Sequence, residues 1–123
     1  MAVTDFKELV VDVTKALKDS AIEVTDEVEK IAAGVAKEAV KQLKEISPKK
    51  TGIYAKSWKI KKEKGELGKF SVTIYNQKKG YLTHLLEHGH AIHGGTGRAK
   101  AIPHISVAEK TAAEKFEERL KRL

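Results

Sequence analysis

The feature that most constrains this chain is an amphipathic pattern that runs from residue 4 to residue 46. Its apolar side chains recur at steps of three and four residues, which is the spacing of one face of an α-helix. These apolar positions are Phe6, Leu9, Val10, Val13, Leu17, Val24, Val28, Ile31, Val35, Ala39, Leu43 and Ile46. The pattern predicts one long N-terminal helix, or two helices of which the second begins at the capping-box spacing Ser20-x-x-Glu23. Because the residue before Pro48 avoids helical backbone angles, we expect the helix to end near Ile46.

Two short strand patterns follow this helical stretch. Their apolar positions of equal parity are Tyr54, Trp58 and Ile60 in the first, and Phe70, Val72 and Ile74 in the second. The connection between them, KKEKGELG, is charged and contains two glycines, so the two patterns predict an antiparallel hairpin. The hairpin face that carries Trp58, Phe70 and the aliphatic residues has to be covered, and the N-terminal helix is the expected cover.

The C-terminal third alternates between helix and loop signals. Residues 81–88 predict a short helix, and Gly89 is placed to end it. Residues 90–102 hold three glycines and are expected to form a mobile, glycine-rich loop, after which Pro103 opens a last helix. The apolar stripe of that helix is Ile105, Ala108, Ala112, Phe116, Leu120 and Leu123. The expected fold class is therefore α+β, in a single domain that spans residues 1–123.

Composition excludes several classes of protein. The chain has no cysteine, which removes disulfides, thiolate metal sites and cysteine nucleophiles. Its apolar runs are far shorter than the ~20 residues that span a bilayer, and its acidic N-terminus lacks the basic region of a secretory signal. We therefore expect a soluble protein, made in a cytoplasm, without membrane contact.

The positive charge of the chain is concentrated in one segment. The net charge is +7, and residues 47–81 alone carry 10 lysines and 2 glutamates, a net of +8. Such a segment could contact nucleic acid or an acidic protein surface. It could equally be a solvated hairpin whose lysines prevent edge-to-edge aggregation.

A histidine-rich stretch, HLLEHGHAIHGG at residues 84–95, raises the question of a metal site. His84-x-x-Glu87-His88 has the H-x-x-E-H spacing of one class of zinc metalloproteases, in which two histidines bind zinc and the glutamate acts as general base. A catalytic site also needs a third ligand, and His90, His93 and His104 follow no recognised spacing. The predicted helix is barely two turns long, and no second carboxylate lies nearby to orient the ligands. Histidines that serve packing, hydrogen bonding or a subunit contact are the favoured interpretation.

Other catalytic patterns are weaker. The serines lack a nucleophile elbow, and the chain has no phosphate-binding loop. We therefore expect neither an enzyme nor a bound cofactor.

The order of the remaining motifs resembles a known family. Pro48-x-x-Thr51-Gly52-x-Tyr54-x-x-Ser57 follows the long helix, and Ile74-Tyr75-Asn76 ends the second strand. Tyr81-x-x-x-Leu85-x-Glu87-x-Gly89 opens the short helix, and Pro103-His104-Ile105-x-x-Ala108 opens the last one. From about residue 20 to residue 123 this series is similar to the head–tail joining, tail-completion or neck proteins of long-tailed bacteriophages.

The resemblance implies a structural virion protein of a phage or prophage. It would act at the head–tail junction as a homo-oligomeric ring, docked to other neck and tail proteins and in non-specific contact with passing DNA. No catalytic residue is carried over, because the motif positions look structural. The basic loop residues His90, His93, Arg98 and Lys100 are the candidates for an assembly or docking contact. A small nucleic-acid-binding protein is the first alternative, and a zinc hydrolase using His84, Glu87 and His88 is a remote one.

Overall fold

The structure is a computed structural model that describes residues 2–4, 8–17, 23–49, 52–66, 69–80, 82–91, 98–99 and 101–123. Helices are combined with strands whose pairings are all antiparallel among the described residues, which confirms the α+β class. In chain order the elements are β1 (Ala2–Thr4), β2 (Glu8–Asp12), α1 (Val13–Ala16), α2 (Asp26–Ile46), α3 (Ile53–Lys56), β3 (Trp58–Lys64), β4 (Phe70–Asn76), α4 (Leu82–His88), β5 (His90–Ala91), β6 (Arg98–Ala99) and α5 (Ile105–Lys121). No helix in the described part of the chain is long and apolar enough to cross a membrane.

The main sheet is a four-stranded antiparallel sheet in the order β1-β2-β4-β3. The predicted hairpin is confirmed, since β3 pairs with β4 from Trp58 opposite Asn76 to Lys64 opposite Phe70. Its predicted core face is also confirmed. The side chains of Trp58, Phe70, Val72 and Ile74 are buried, and Ile60 packs against them. Strand β2 occupies the other side of β4, so that β4 lies in the centre of the sheet.

Helix α2 covers the apolar face of this sheet, as predicted. Its stripe of buried side chains is Val28, Ala32, Ala33, Val35, Ala36, Ala39 and Leu43. The helix is capped at its start by Thr25, whose hydroxyl accepts a hydrogen bond from the backbone N–H of Val28. Three acidic residues in its first turn interact favourably with the positive end of the helix dipole and stabilise the helix.

Helix α5 lies beside α2 and runs antiparallel to it. Gln42 of α2 donates to Thr111, whereas Glu38, one turn earlier in α2, meets Lys115 and Arg119, one and two turns later in α5. The Glu38 carboxylate lies 2.5 Å from an Arg119 nitrogen and 3.3 Å from Lys115 Nζ. The apolar stripe of α5 is confirmed for its first four positions, which are buried. It is wrong for Leu123, which is 59% exposed.

The prediction of helix from residue 4 to residue 46 is wrong for the first part of that stretch. Residues 2–4 and 8–12 form strands, and the helix that follows them, α1, has only four residues. The steps between Leu9, Val10 and Val13 fit a helix, but five residues are too few to distinguish a helical face from a short strand. Leu9 lies opposite Ile74 in the sheet and is buried there. Pairing with the open side of β4 therefore overrides the helical spacing.

The second helix also begins later than predicted. Residues 23–25 are not helical, and α2 begins at Asp26. The capping box predicted at Ser20-x-x-Glu23 is therefore wrong, and Ser20 itself lies outside the described residues. Thr25 takes the capping role instead. The end of the helix at Ile46 is confirmed, with Ser47 in an extended conformation before Pro48.

The prediction for the first strand pattern is wrong at Tyr54. This residue lies in the short helix α3, which Gly52 begins with a left-handed φ of 82°. Only glycine adopts such an angle without strain, so Gly52 allows the sharp turn from α2 into the hairpin.

The C-terminal predictions are partly correct. Helix α4 is confirmed over Leu82–His88, with Gly89 at φ 76° after it, whereas Tyr81 lies outside the described residues. Helix α5 begins at Ile105, two residues later than an opening at Pro103 would give. The two ends of the predicted loop pair as the short antiparallel ribbon β5–β6, and residues 92–97 and 100 lie outside the described part.

Candidate functional site

A buried cluster of hydrogen-bonded side chains joins α3, α4 and α5. At its centre the Tyr54 hydroxyl lies 2.6 Å from His104 Nε2, although the two residues are 50 positions apart in sequence. His104 is fully buried, and its Nδ1 lies 2.7 Å from the carbonyl oxygen of Ile102. A carbonyl can only accept, so Nδ1 carries a proton. In the neutral ring Nε2 is then the acceptor, and the Tyr54 hydroxyl donates to it.

Glu87 binds the start of α5. One carboxylate oxygen accepts hydrogen bonds from the backbone N–H groups of His104 (2.8 Å) and Ile105 (2.7 Å), and the other accepts from the Ser106 hydroxyl (2.7 Å). The first N–H groups of a helix have no partner within the helix. His104, at the N-cap position, gives no side-chain cap to α5. The Glu87 carboxylate from α4 therefore caps the N-terminus of α5. Its negative charge also interacts favourably with the positive end of the helix dipole.

The environment shifts two pKa values in this cluster. Burial raises the pKa of Glu87, but the hydrogen bonds from His104, Ser106 and Ile105 outweigh it and hold the pKa below 4.5. Glu87 is therefore ionised at neutral pH although it is only 5% exposed. Burial, together with the nearby Glu87 charge, raises the pKa of the Tyr54 hydroxyl. Tyr54 therefore keeps its proton and remains a donor.

The remaining polar motif residues bind the backbone around this centre. Asn76, at the end of β4, donates to the carbonyl of Tyr54 (2.7 Å) and accepts from the N–H of Lys79 (2.9 Å). The Ser57 hydroxyl donates to the carbonyl of Ile53, and the Ser47 hydroxyl accepts from the indole N–H of Trp58 at 3.0 Å. The Tyr54, Trp58 and His104 rings meet edge to face. Buried polar groups that are all paired in this way hold one arrangement of the chain.

The zinc hypothesis makes Glu87 a general base, whereas in the structure Glu87 binds the start of α5. Both carboxylate oxygens accept hydrogen bonds from the start of α5, so Glu87 does not face a cleft as a general base. His104, one of the candidate third ligands, has both ring nitrogens within hydrogen-bonding distance of protein atoms. Among the described residues no group of three or more histidine or acidic side chains could hold a metal ion. His88 is exposed at the end of α4.

The structure brings two of the four predicted docking residues together. His90 lies in β5 and Arg98 in β6, where His90 pairs with Ala99 and Ala91 pairs with Arg98. His93 and Lys100 lie outside the described residues. Whether these four residues make an assembly contact stays a prediction.

The nucleic-acid alternative needs aromatic side chains on an exposed face, where bases can stack on them. Tyr54, Trp58 and Phe70 are all buried in the core. Tyr75 is half-buried, and its position in β4 alternates with those of the core residues Val72 and Ile74. Three of the five aromatics in the basic segment are thus withdrawn from any stacking role, and the fifth, Tyr81, lies outside the described residues.

A basic cleft at the start of the hairpin was not predicted from the sequence. It has a volume of about 330 Å³ and is lined by Ile53, Lys56, Ser57, Lys59, Gln77 and Lys78. The three lysines are exposed and make no ion pair with any described residue. The excess of lysine in residues 47–81 was visible, but the meeting of α3 with the ends of β3 and β4 depends on the fold.

Comparison with known protein families gives a match over most of the chain. Residues 7–89 match the model of the HK97 gp10-like family, described as "Bacteriophage HK97-gp10, putative tail-component". The chain belongs to this family of bacteriophage tail components, and the resemblance found from the motifs is confirmed. Searches of curated proteins and of solved structures gave no significant match. The protein is therefore a structural component of a virion tail.

Proposed function

We propose that this protein completes the phage tail at the head–tail junction and works by self-association and docking, without catalysis. Its family supplies the first support, because the family consists of tail components. The ring of identical subunits and the neighbouring neck proteins belong to the proposal.

The observation that carries the proposal is the use of the motif residues inside the molecule. Tyr54, Asn76, Glu87 and His104 all hydrogen-bond to protein groups within one buried cluster. A site for chemistry instead needs polar groups directed towards a substrate. Exposed charged side chains of both signs, among them the lysines of the hairpin, lie on the surface, where they suit contacts with other molecules.

The β5–β6 ribbon is the proposed docking element towards the tail. Its strands carry His90 and Arg98, and the connection between them carries His93, with Lys100 just beyond. The connection contains Gly94, Gly95 and Gly97. Contact of the basic segment with passing DNA would be independent of base sequence and weakened by salt.

Particles made without the protein test this function. We expect filled heads and complete tail tubes that fail to join, which negative-stain electron microscopy would show directly. Joined, infectious particles made without the protein would contradict the proposal.

A variant series locates the docking element. Alanine at His90, His93, Arg98 and Lys100 together should abolish joining while the purified protein keeps its fold. The matched control replaces three exposed lysines on the helical layer, Lys37, Lys41 and Lys110, by alanine and should leave joining intact. Equal defects in both variants would mean that the ribbon has no special role.

A further inference from the structure

We propose that the basic cleft lined by Lys56, Lys59 and Lys78 binds the acidic segment of residues 23–27 in a second copy of this chain. The inference deepens the proposed function and rests on its ring of identical subunits. It names the two surfaces that meet when neighbouring subunits associate.

The cleft is suited to an anionic partner. Lys56 comes from α3, Lys59 from β3 and Lys78 from the turn after β4, and none of the described residues that line the cleft with them is acidic. None of the three lysines is within ion-pair distance of a described carboxylate. By contrast, Lys61 lies 3.6 Å from Glu63 and Lys64 lies 3.4 Å from Glu29. Three cations around one concave surface raise the local potential and favour a partner with several negative charges.

The cleft also has an apolar wall that favours a protein partner. Ile53 lines it and is 44% exposed. A sugar–phosphate backbone presents mainly charged oxygens, so it would cover such a side chain less well than an aliphatic group would. A protein segment that carries both carboxylates and an aliphatic side chain would complement the whole lining.

Residues 23–27 form a segment of this kind. Their sequence is Glu-Val-Thr-Asp-Glu, and the side chains of Glu23, Asp26 and Glu27 are exposed. None of these three carboxylates pairs with a described cation, although Glu29, one turn into α2, does pair. Val24 lies among them and is half-buried. The segment thus offers three carboxylates against three lysines, and an aliphatic residue against Ile53.

The two surfaces lie at opposite ends of the molecule. The acidic segment spans the start of α2, beside the end of β3 near Lys64 and Gly65. The cleft lies at the start of β3, where Trp58 binds Ser47 just after α2 ends. A helix of 21 residues is about 31 Å long, so one chain cannot place its own acidic segment in its own cleft. Contacts between unlike surfaces at opposite ends are head-to-tail, and repetition of such contacts closes rings when the rotation permits.

Charge reversal of each surface tests the contact. The cleft variant carries Lys56→Glu, Lys59→Glu and Lys78→Glu, and the segment variant carries Glu23→Lys, Asp26→Lys and Glu27→Lys. Each should weaken self-association about tenfold or more in low salt, measured by sedimentation velocity up to millimolar protein. The wild-type association should weaken as salt rises.

Mixing the two variants is the decisive step. The reversed cleft of one variant faces the reversed segment of the other, so an equimolar mixture should recover the association that neither variant shows alone. The control variant Lys37→Glu, Lys41→Glu, Lys110→Glu has the same change of net charge as the cleft variant and should associate like wild type. Circular dichroism of each variant verifies that the fold is retained.

Other outcomes would overturn the inference. If the wild type associates and both reversal variants associate equally well, the ring uses another surface, and the proposed function stands without this contact. If the cleft variant loses binding to duplex DNA but not self-association, nucleic acid occupies the cleft. A wild-type chain that stays monomeric at millimolar concentration in low salt also rejects the contact. Joining of heads and tails without the protein would instead reject the proposed function.

Discussion

The buried cluster and the basic cleft contain residues that are neighbours in sequence, but they differ in how their polar side chains are paired. Tyr54 lies inside and Lys56 outside. Trp58 lies inside and Lys59 outside, and Asn76 precedes the cleft residue Lys78 by two positions. Inside, each polar side chain has a partner at hydrogen-bond distance. In the cleft, the three ammonium groups have no carboxylate partner among the described residues.

The difference separates residues that determine the fold from residues that are available to a partner. A polar group that is buried without a hydrogen bond is costly, so the cluster tolerates little change. An exposed lysine remains hydrated, so its replacement hardly affects folding. The same short segments thus supply stability on one side and, in the proposed contact, recognition on the other.

Among single substitutions, loss of the Glu87 carboxylate should lower the free energy of unfolding the most. Glu87→Ala leaves the N–H groups of His104 and Ile105 buried without an acceptor, so the free energy of unfolding should fall by about 3–5 kcal/mol. Glu87→Gln keeps an acceptor oxygen and should cost about 1–2 kcal/mol. Urea denaturation measures both. Glu63→Ala, at an exposed carboxylate of β3, is the control and should change stability by less than about 0.5 kcal/mol. An equal loss in Glu63→Ala would contradict the special role of Glu87.

Removal of the Tyr54 hydroxyl should have the next largest effect. Tyr54→Phe keeps the ring contacts but leaves His104 Nε2 without a donor, so unfolding should become easier by about 1–2 kcal/mol. Tyr75→Phe, at a half-buried tyrosine, is the matched control and should cost less than about 0.5 kcal/mol. The comparison fails if the two substitutions cost the same.

The pH dependence of stability should isolate the contribution that the ionised Glu87 carboxylate makes to folding. Its pKa in the folded state is below 4.5, so the stabilisation is fully present above the pKa of the unfolded chain and is lost as pH falls through the lower folded value. The stability difference between wild type and Glu87→Gln should stay constant from pH 7 to about 5 and shrink below about 4. Urea denaturation at each pH measures it. A difference that grows on acidification would have the wrong sign for an ionised cap.

The ion pairs between α2 and α5 should contribute less to stability than the buried cluster does, because they are partly exposed to solvent. Hydrogen bonding to Arg119 lowers the pKa of Glu38, but the pair is partly exposed to solvent. Glu38→Ala should therefore cost about 0.5 kcal/mol, and high salt should reduce that cost. A loss that is large and insensitive to salt would place Glu38 with the buried cluster.

The cleft lysines should give the smallest change in stability. Alanine at Lys56, Lys59 and Lys78, made singly, should each alter the free energy of unfolding by less than about 0.5 kcal/mol. Thermal and urea denaturation measure this. A large loss at any of the three would mean that the cleft belongs to the folding core after all.

Sequence patterns predicted those parts of the fold in which local spacing and packing agree. The hairpin followed from the alternation in β4, and α2 followed from its helical stripe. Strand β2 was missed because the steps between Leu9, Val10 and Val13 fit a helical face, and only the pairing of residues 8–12 with β4 makes this segment a strand. Long-range pairing of this kind is not encoded in local spacing.

The candidate site shows the same division. The motif positions Tyr54, Glu87 and His104 were identified, but not their mutual contact, which links residues 50 and 17 positions apart. One signal was available in the sequence. Helix α5 starts without serine, threonine, aspartate or asparagine at its N-cap, so another residue had to bind its first N–H groups. The convergence of three lysines on one cleft had no comparable signal.

The hydrogen bonds between Glu87 and the start of α5 determine where the chain can be truncated. The match to the family ends at residue 89, whereas the groups that Glu87 binds belong to residues 104–106. A fragment trimmed to the matched region would leave an ionised carboxylate in the interior without donors and would uncover the face on which Phe116 packs. Shorter versions of the chain should therefore extend through Lys121, the last residue of α5.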